Sequence, residues 1–225
     1  MESYPLPHLS TTAHLALFTP LSPASAASLR QRLVAASTAQ GEAGDLERRA
    51  VDFAFLDASR VTSRLHVLTA VNQALLAQAS PAGLKTKTAH SEVLWMLEPG
   101  TNITDSLRHF GLSPSTRSLL LVHLAPSPSS SSSSSSPADA SPPPHSDAQA
   151  VLARLEKLVE GSGARLESLK WLGRLPDGGT DEKGLRKLYK LNADAAFSSL
   201  ALGSPQHLDA LDRLCTSAVA LKAAM

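Results

Sequence analysis

The segment from Val61 to Leu76 carries the strongest helical periodicity in the chain, because its apolar residues recur at spacings of three and four. This spacing predicts a helix of about five turns with one buried stripe. Arg60 and Arg64 stand one turn apart at its start and are expected to share a face. The predicted stripe consists of Val61, Leu65, Leu68, Val71, Leu75 and Leu76.

Three short apolar runs predict β-strands, because each is bounded by turn residues and is too short for a typical helix. They lie at Thr12–Thr19, at Val51–Leu56 and at Ser118–Leu124. A fourth segment, Arg165–Leu172, is compatible with either a helical turn or a strand returning to the sheet.

Capping residues predict four further helices. Ser22 precedes a proline at the start of one, Asp147 and Asp181 can cap two more, and Ser204 precedes the proline that opens the last. Gln40–Asp45 is polar and contains glycine, which indicates a loop. The last helix carries a wide apolar face made of Leu208, Leu211, Leu214, Cys215, Ala218 and Leu221.

These elements predict an α/β or α+β fold, a small mixed sheet packed with several helices in a single domain. The length of 225 residues suffices for one such core. Pro126–Ser146 is nearly all serine, proline and alanine. This segment contains almost no apolar side chains that could be buried in a core. We therefore predict a disordered insert within that domain rather than a linker between two domains.

The charge balance argues against a generic nucleic-acid binder, because 21 Lys and Arg against 20 Asp and Glu leave a net charge of +1. Any RNA contact must therefore come from a local patch. The single cysteine, Cys215, excludes an intramolecular disulfide. No signal peptide or membrane span is indicated, so we expect no membrane partner and a location in the cytoplasm or nucleus.

No catalytic motif is present: the chain lacks the zinc-binding, phosphate-cradling and nucleophile-elbow patterns, and no cofactor, metal or catalytic residue is predicted. Cys215 lies among leucines and alanines, which favours a core position. An enzymatic alternative would use Glu92 together with His90 or His109, although one carboxylate early in a helix is more often placed there by the helix dipole.

The most distinctive stretch runs from Leu84 to Gly111. It contains Lys-Thr-Lys-Thr, a Ser-Glu pair and an apolar run, followed by a short helix. Asn102 can cap the start of this helix, Asp105 can accept a hydrogen bond from the backbone at the cap, and Gly111 can end the helix. Together with the upstream Ala-Val-Asn and the downstream Leu-x-x-Leu-Tyr-Lys-Leu, this order resembles the PRPK-binding-protein family, the small non-enzymatic subunit of the KEOPS (EKC) complex.

The resemblance implies a non-catalytic subunit that binds the complex's small atypical kinase and, through the assembly, the threonylcarbamoyl transferase. It also implies recruitment of tRNA by its 3′ CCA end for modification of the adenosine beside the anticodon, as well as a link to telomere maintenance. The resemblance also implies a helical surface for the kinase. We choose the last helix, at Leu208, Leu211, Leu214, Cys215 and Ala218, for which a purely core role is the alternative.

For RNA we choose Lys85 and Lys87, which share a side if that segment is extended, and then Arg60 and Arg64. Ordinary solvated surface is the alternative for all four. A kinase-binding adaptor without RNA contact is the alternative for the protein.

Overall fold

An antiparallel sheet forms the middle of the fold in the computed structural model, which describes residues 1–127, 148–175 and 179–222. Strand β2 pairs with β4 along one edge, and β4 pairs with β3. On the other edge of β2, β1 and β5 lie end to end, since Leu15 faces Glu2 and Thr19 faces Arg165. The strands are β1 Glu2–Leu6, β2 Thr11–Thr19, β3 Ala54–Asp57, β4 Leu119–Pro126 and β5 Arg165–Glu167.

Helices cover both faces of this sheet, and alternate residues of each strand face opposite layers. Leu15 and Leu17 belong to the core beneath α3, α4, α7 and α9, whereas Ala16 and Phe18 belong to the core beneath α1 and α6. The helices are α1 Pro23–Thr38, α2 Gly41–Ala50, α3 Arg64–Ala79, α4 Ala89–Leu97, α5 Ile103–Phe110, α6 Ala148–Val159, α7 Glu182–Leu188, α8 Ala195–Ser198 and α9 Pro205–Lys222.

The predicted α+β class is confirmed. The prediction of a mixed sheet is wrong, because every strand pairing among the described residues is antiparallel. The helix starts at Ser22 and Asp181 are also confirmed, because each side chain accepts a hydrogen bond from the first turn. Arg165–Leu172 divides into strand β5 and a 3₁₀ turn at Leu169–Trp171. Asp147 and most of the serine-rich insert lie outside the described residues.

The loop predicted at Gln40–Asp45 is wrong, because residues 41–50 form helix α2. This helix has no apolar stripe to reveal it. It is attached to α1 by charged groups: Arg32 pairs with Glu47, and Arg48 donates to the carbonyls of Ala36 and Ala39. Strand β1 was not predicted either, since it is a short edge strand that contains Pro5.

The stripe predicted for α3 is partly wrong. Leu65 is 60% exposed and Leu76 is 46% exposed, and Val61 precedes the helix. Small residues face inward instead, which lets α4 and α9 approach closely. The buried side chains of α3 are His66, Val67, Ala70, Val71, Ala74 and Leu75.

The cap predicted for α5 forms in part. The Asn102 side chain accepts from the Thr104 N–H at 3.0 Å, and the helix ends at Gly111. Asp105 pairs with Arg108 at 2.7 Å instead of accepting a hydrogen bond from the backbone at the cap. A Cβ at residue 111 would lie 2.3 Å from the Leu107 carbonyl oxygen, so glycine is required there by close approach.

Candidate functional site

The Lys85–Thr88 segment is an irregular loop that is fastened to the start of α4. The Thr86 N–H and hydroxyl donate to one carboxylate oxygen of Glu92, at 2.8 and 2.7 Å. Glu92 is fully buried. Thr88 closes the helix start reciprocally with Ser91, each side chain accepting from the other's backbone N–H at 3.1 Å. The hydrogen bonds between Thr86 and Glu92 were not predicted from the sequence. The only feature of the sequence that could have indicated them is a threonine placed between two lysines.

Because Thr86 is turned inward, its neighbours Lys85 and Lys87 face solvent, and both are exposed. Neither ammonium forms an ion pair with a residue in the described part of the chain. The expectation that the two lysines lie on one side assumed an extended segment, and for this irregular loop it stays a prediction. Their positive charge is available to an external anion.

Arg60 and Arg64 do not share a helix face, so that expectation is wrong. Arg60 ends a 3₁₀ turn at Ala58–Arg60, and α3 begins only after the cap at Ser63. Arg60 pairs with Asp181 at 2.9 Å, and Arg64 pairs with Glu2 at 3.0 Å.

The structure also separates this arginine pair from the lysine pair. The arginines lie at the beginning of α3, whereas the lysines follow its end at Ala79. The intervening helix is about 22 Å long. The four residues chosen for RNA binding therefore do not form a single patch.

Helix α9 packs against α3, α4, α7 and α8, and its inner side is fully committed to the core. Leu211 and Cys215 are buried. Leu208, Leu214 and Ala218 lie at the margin and are partly buried, while Leu221 is 60% exposed. The apolar face predicted from the sequence thus includes both core residues and a partly accessible edge.

The last residue of α9, Lys222, fastens this helix to the end of α4. Its ammonium donates to the carbonyls of Trp95, Glu98 and Gly100 and lies 3.6 Å from the centre of the Trp95 ring. Burial lowers the pKa of Lys222 to about 8, against the opposing effect of the Glu98 carboxylate. The C-terminal turn of α9 is held in place by these contacts.

The groups required by the enzymatic alternative are not brought together. His90 bonds to Asp52 at 2.8 Å and His109 to Glu98 at 2.7 Å, while Glu92 is held by Thr86. Burial raises the pKa of the Cys215 thiol, which disfavours the nucleophilic thiolate.

Among the described residues, no group of three or more His, Cys, Asp or Glu side chains is arranged to hold a metal ion. No described helix is both long enough and apolar enough to cross a bilayer.

Comparison with known proteins identifies the relatives of this chain. It is 31% identical to the EKC/KEOPS complex subunit cgi121 of Aspergillus terreus over 225 residues, which covers 100% of this chain and 97% of the relative. It is 29% identical to the EKC/KEOPS complex subunit CGI121 of Cryptococcus neoformans, with 85% and 88% covered. The Aspergillus fumigatus subunit is 35% identical over 127 residues, or 56% of this chain and 60% of the relative.

A family model described as kinase binding protein CGI-121 matches residues 23–223. The match spans both helical layers and all of the sheet except β1 and β2. The chain therefore belongs to the CGI-121 family of kinase-binding proteins.

Proposed function

We propose that this chain is a non-catalytic subunit of an EKC/KEOPS-type complex, which binds the complex's small atypical protein kinase and helps to recruit tRNA. The observation that carries the proposal is the match of the kinase-binding family model to residues 23–223. In this role the threonylcarbamoylation of the adenosine next to the anticodon is performed by the neighbouring transferase. The contribution of this chain is binding.

The non-catalytic role is supported by how the candidate reactive groups are used. Glu92, His90 and His109 each have a structural partner, and the Cys215 thiol is buried. A general acid or base must reach the proton that it transfers. These side chains instead fasten loops and helix ends.

The proposed kinase contact is the accessible edge of α9. Leu214, Ala218 and Leu221 recur at spacings of four and three, so they lie along one side of the helix. Leu208 lies on the other margin of the buried face, about 120° around the helix from Leu214. Leu211 and Cys215 support the helix from inside the core. An apolar helix edge of this kind suits a hydrophobic groove on a partner.

A pull-down with the co-expressed kinase tests this contact. Ala218→Asp should abolish retention of the kinase, because it would bury an unpaired charge in the interface. Leu221→Asp should act in the same way without disturbing the core, since Leu221 is exposed. The matched control is Ala153→Asp, an exposed position of α6 on the opposite layer. Normal kinase retention by both α9 variants would place the interface elsewhere.

The proposed tRNA contact is the loop that presents Lys85 and Lys87. An unstructured RNA tail is held through its phosphates by cations. Here a loop that Glu92 keeps in position carries two ammonium groups that have no ion-pair partner among the described residues. Arg60 and Arg64 contribute less in this proposal, because each would first have to leave an ion pair.

Binding of labelled tRNA with and without its terminal CCA tests this contact. We expect Lys85→Glu/Lys87→Glu to weaken binding and to flatten its dependence on salt, because each lost phosphate contact removes a counterion-release term. The control is Arg30→Glu/Lys157→Glu, which makes the same charge change at exposed positions of α1 and α6. Equal binding by test and control variants would move the RNA site elsewhere. Equal binding of both tRNAs would argue against recognition of the 3′ tail.

A kinase-binding adaptor without RNA contact is the second candidate. It is favoured by the two ion-paired arginines and by a net charge of only +1. Retention of the kinase together with failure of the wild type to bind tRNA would support this alternative.

A further inference from the structure

Helix α7 carries a row of exposed lysines. Lys183 and Lys187 stand one turn apart and share a side of the helix, and Lys190 follows two residues after its end at Leu188. We call these three residues the α7 lysine row. Along the helix axis, Lys183 and Lys187 are about 6 Å apart.

The acidic residues near this row are engaged elsewhere. Asp181 pairs with Arg60 and caps α7, and the Glu182 carboxylate lies 3.4 Å from His207. Asp194 caps α8 by accepting from the Phe197 N–H at 3.0 Å. No lysine of the row forms an ion pair within the described part of the chain, so its charge is not neutralised internally.

The backbone at Lys190 is unusual. It has φ +57° and ψ +30°, the left-handed conformation that glycine adopts most easily after a helix. A non-glycine residue there is strained by roughly 1 kcal/mol or more. The chain therefore has a lysine at a position where glycine would favour the fold, which points to a use for the lysine side chain.

The α7 lysine row lies on a helix that is anchored to the core and to α4. Leu185 is fully buried beneath α7. The Tyr189 hydroxyl donates to the Leu97 carbonyl at 2.6 Å, and this joins the end of α7 to the end of α4. Helix α4 is about 12 Å long, and Lys87 lies just beyond its other end, so one RNA strand is long enough to reach both basic groups.

We propose that the α7 lysine row binds consecutive phosphates of an RNA strand and forms a second tRNA contact beside the Lys85–Lys87 loop. This inference rests on the proposed tRNA-binding function. A polyanion fits the row better than a protein surface does, because lysine is depleted in the buried centres of protein interfaces and no apolar residue lies within the row.

The first test measures tRNA affinity at several salt concentrations for Lys183→Gln/Lys187→Gln/Lys190→Gln. Three lost contacts to a single strand should reduce the slope of log K against log salt by about 2. The matched control is Arg30→Gln/Arg49→Gln/Lys157→Gln, which removes the same charge from exposed positions of the opposite layer. It should leave the slope close to that of the wild type.

The second test is Lys190→Gly, for which folding and binding should change in opposite directions. The melting temperature should stay the same or rise, because glycine relieves the left-handed backbone. The tRNA affinity should fall. A purely structural role for Lys190 predicts no fall in affinity.

The outcomes separate this inference from the function on which it rests. If the wild type binds tRNA and the triple variant matches its control, the α7 lysine row is not an RNA contact and the proposed function stands. If the wild type does not bind tRNA, both RNA proposals fail, and the kinase pull-down decides the remaining half. If the triple variant loses the kinase but keeps tRNA, the row belongs to a protein interface.

Discussion

The imidazole of His66 donates from Nε2 to the hydroxyl of Tyr189 at 3.1 Å, while that hydroxyl donates to the Leu97 carbonyl. The other ring nitrogen accepts from the Thr62 N–H at 3.4 Å. These two hydrogen bonds favour the neutral imidazole, because a proton on Nδ1 would point at the Thr62 N–H, which is also a donor. Burial of this ring lowers the pKa of His66 to about 4.

This arrangement predicts a loss of stability in acid. The unfolded chain takes up a proton near pH 6.5 and the folded chain only near pH 4, so the free energy of unfolding should fall as the pH drops between these values. In His66→Gln the slope over that window should be shallower. Part of the slope should remain in this variant, because burial also lowers the pKa of His123 to about 4. Urea unfolding at pH 7, 5.5 and 4.5 gives the slope.

His8→Gln is the control for this prediction, since His8 is exposed. It removes one histidine and should leave the slope unchanged. An unchanged slope in His66→Gln would mean that His66 is not responsible for the acid sensitivity.

Two glycines with similar backbone angles should respond differently to alanine. Gly173 has φ +83° and Gly203 has φ +71°. A Cβ at residue 173 would lie 2.1 Å from the Thr62 carbonyl oxygen, whereas at residue 203 it would meet open space.

We expect Gly203→Ala to lower the free energy of unfolding by about 1 kcal/mol from backbone strain alone. Gly173→Ala should lower it by at least about 2 kcal/mol more, because the turn must also move away from Thr62. Chemical denaturation of the two variants measures the difference. Equal effects would show that the close approach to Thr62 is easily relieved.

Arg60 lies over Gly184, so that a Cβ at residue 184 would be 2.3 Å from the Arg60 Nη1 atom. Gly184→Ala should displace the guanidinium and weaken its pair with Asp181. This loss offsets the gain of about 1 kcal/mol that alanine gives in a helix. In an Arg60→Gln background the same change should be less unfavourable, because only the Asp181 carboxylate, 2.5 Å from that Cβ, still has to move.

A double-mutant cycle on unfolding free energies measures this coupling. Additive effects would show that Arg60 and Gly184 act independently. The same Arg60→Gln variant should keep its tRNA affinity if Arg60 is structural.

Thr86→Val should loosen the lysine loop. It removes one of two donors to the buried Glu92 carboxylate, which should lower the free energy of unfolding by about 1–3 kcal/mol. The tRNA affinity should fall as well, although both lysines are still present. Thr69→Val in α3, whose hydroxyl only donates back to the Leu65 carbonyl, is the control. Unaltered tRNA binding by a destabilised Thr86→Val would separate the loop from RNA recognition.

Deletion of residues 129–144 should leave the melting temperature and kinase binding nearly unchanged, because the composition of this serine- and proline-rich stretch cannot contribute to a core. The deletion begins after Ser127, whose N–H donates to the Ser10 carbonyl at 2.8 Å. Differential scanning calorimetry and a kinase pull-down check this. Loss of soluble protein would show that the insert is structural.

Local signals along the chain predicted much of the fold correctly. The caps at Ser22 and Asp181 and the strand at Thr12–Thr19 follow from chemistry within a few residues, and the structure contains each of them. Helix α2 was missed because charged contacts with α1, rather than an apolar stripe, hold it in place. No periodicity in its own sequence reports such contacts.

At the candidate site, too, some features follow from the local sequence and others depend on tertiary contacts. The alternation of lysine and threonine predicts two neighbouring cations at Lys85 and Lys87, but it does not reveal the bonds from Thr86 to the buried Glu92 carboxylate. The ion pairs of Arg60 and Arg64 could not be read from the sequence either, since Asp181 and Glu2 lie far from them in the chain. Only the tertiary structure decided these contacts and which residues of α9 are covered. Periodicity identifies an apolar face, but the neighbouring helices determine how much of that face remains accessible to a partner.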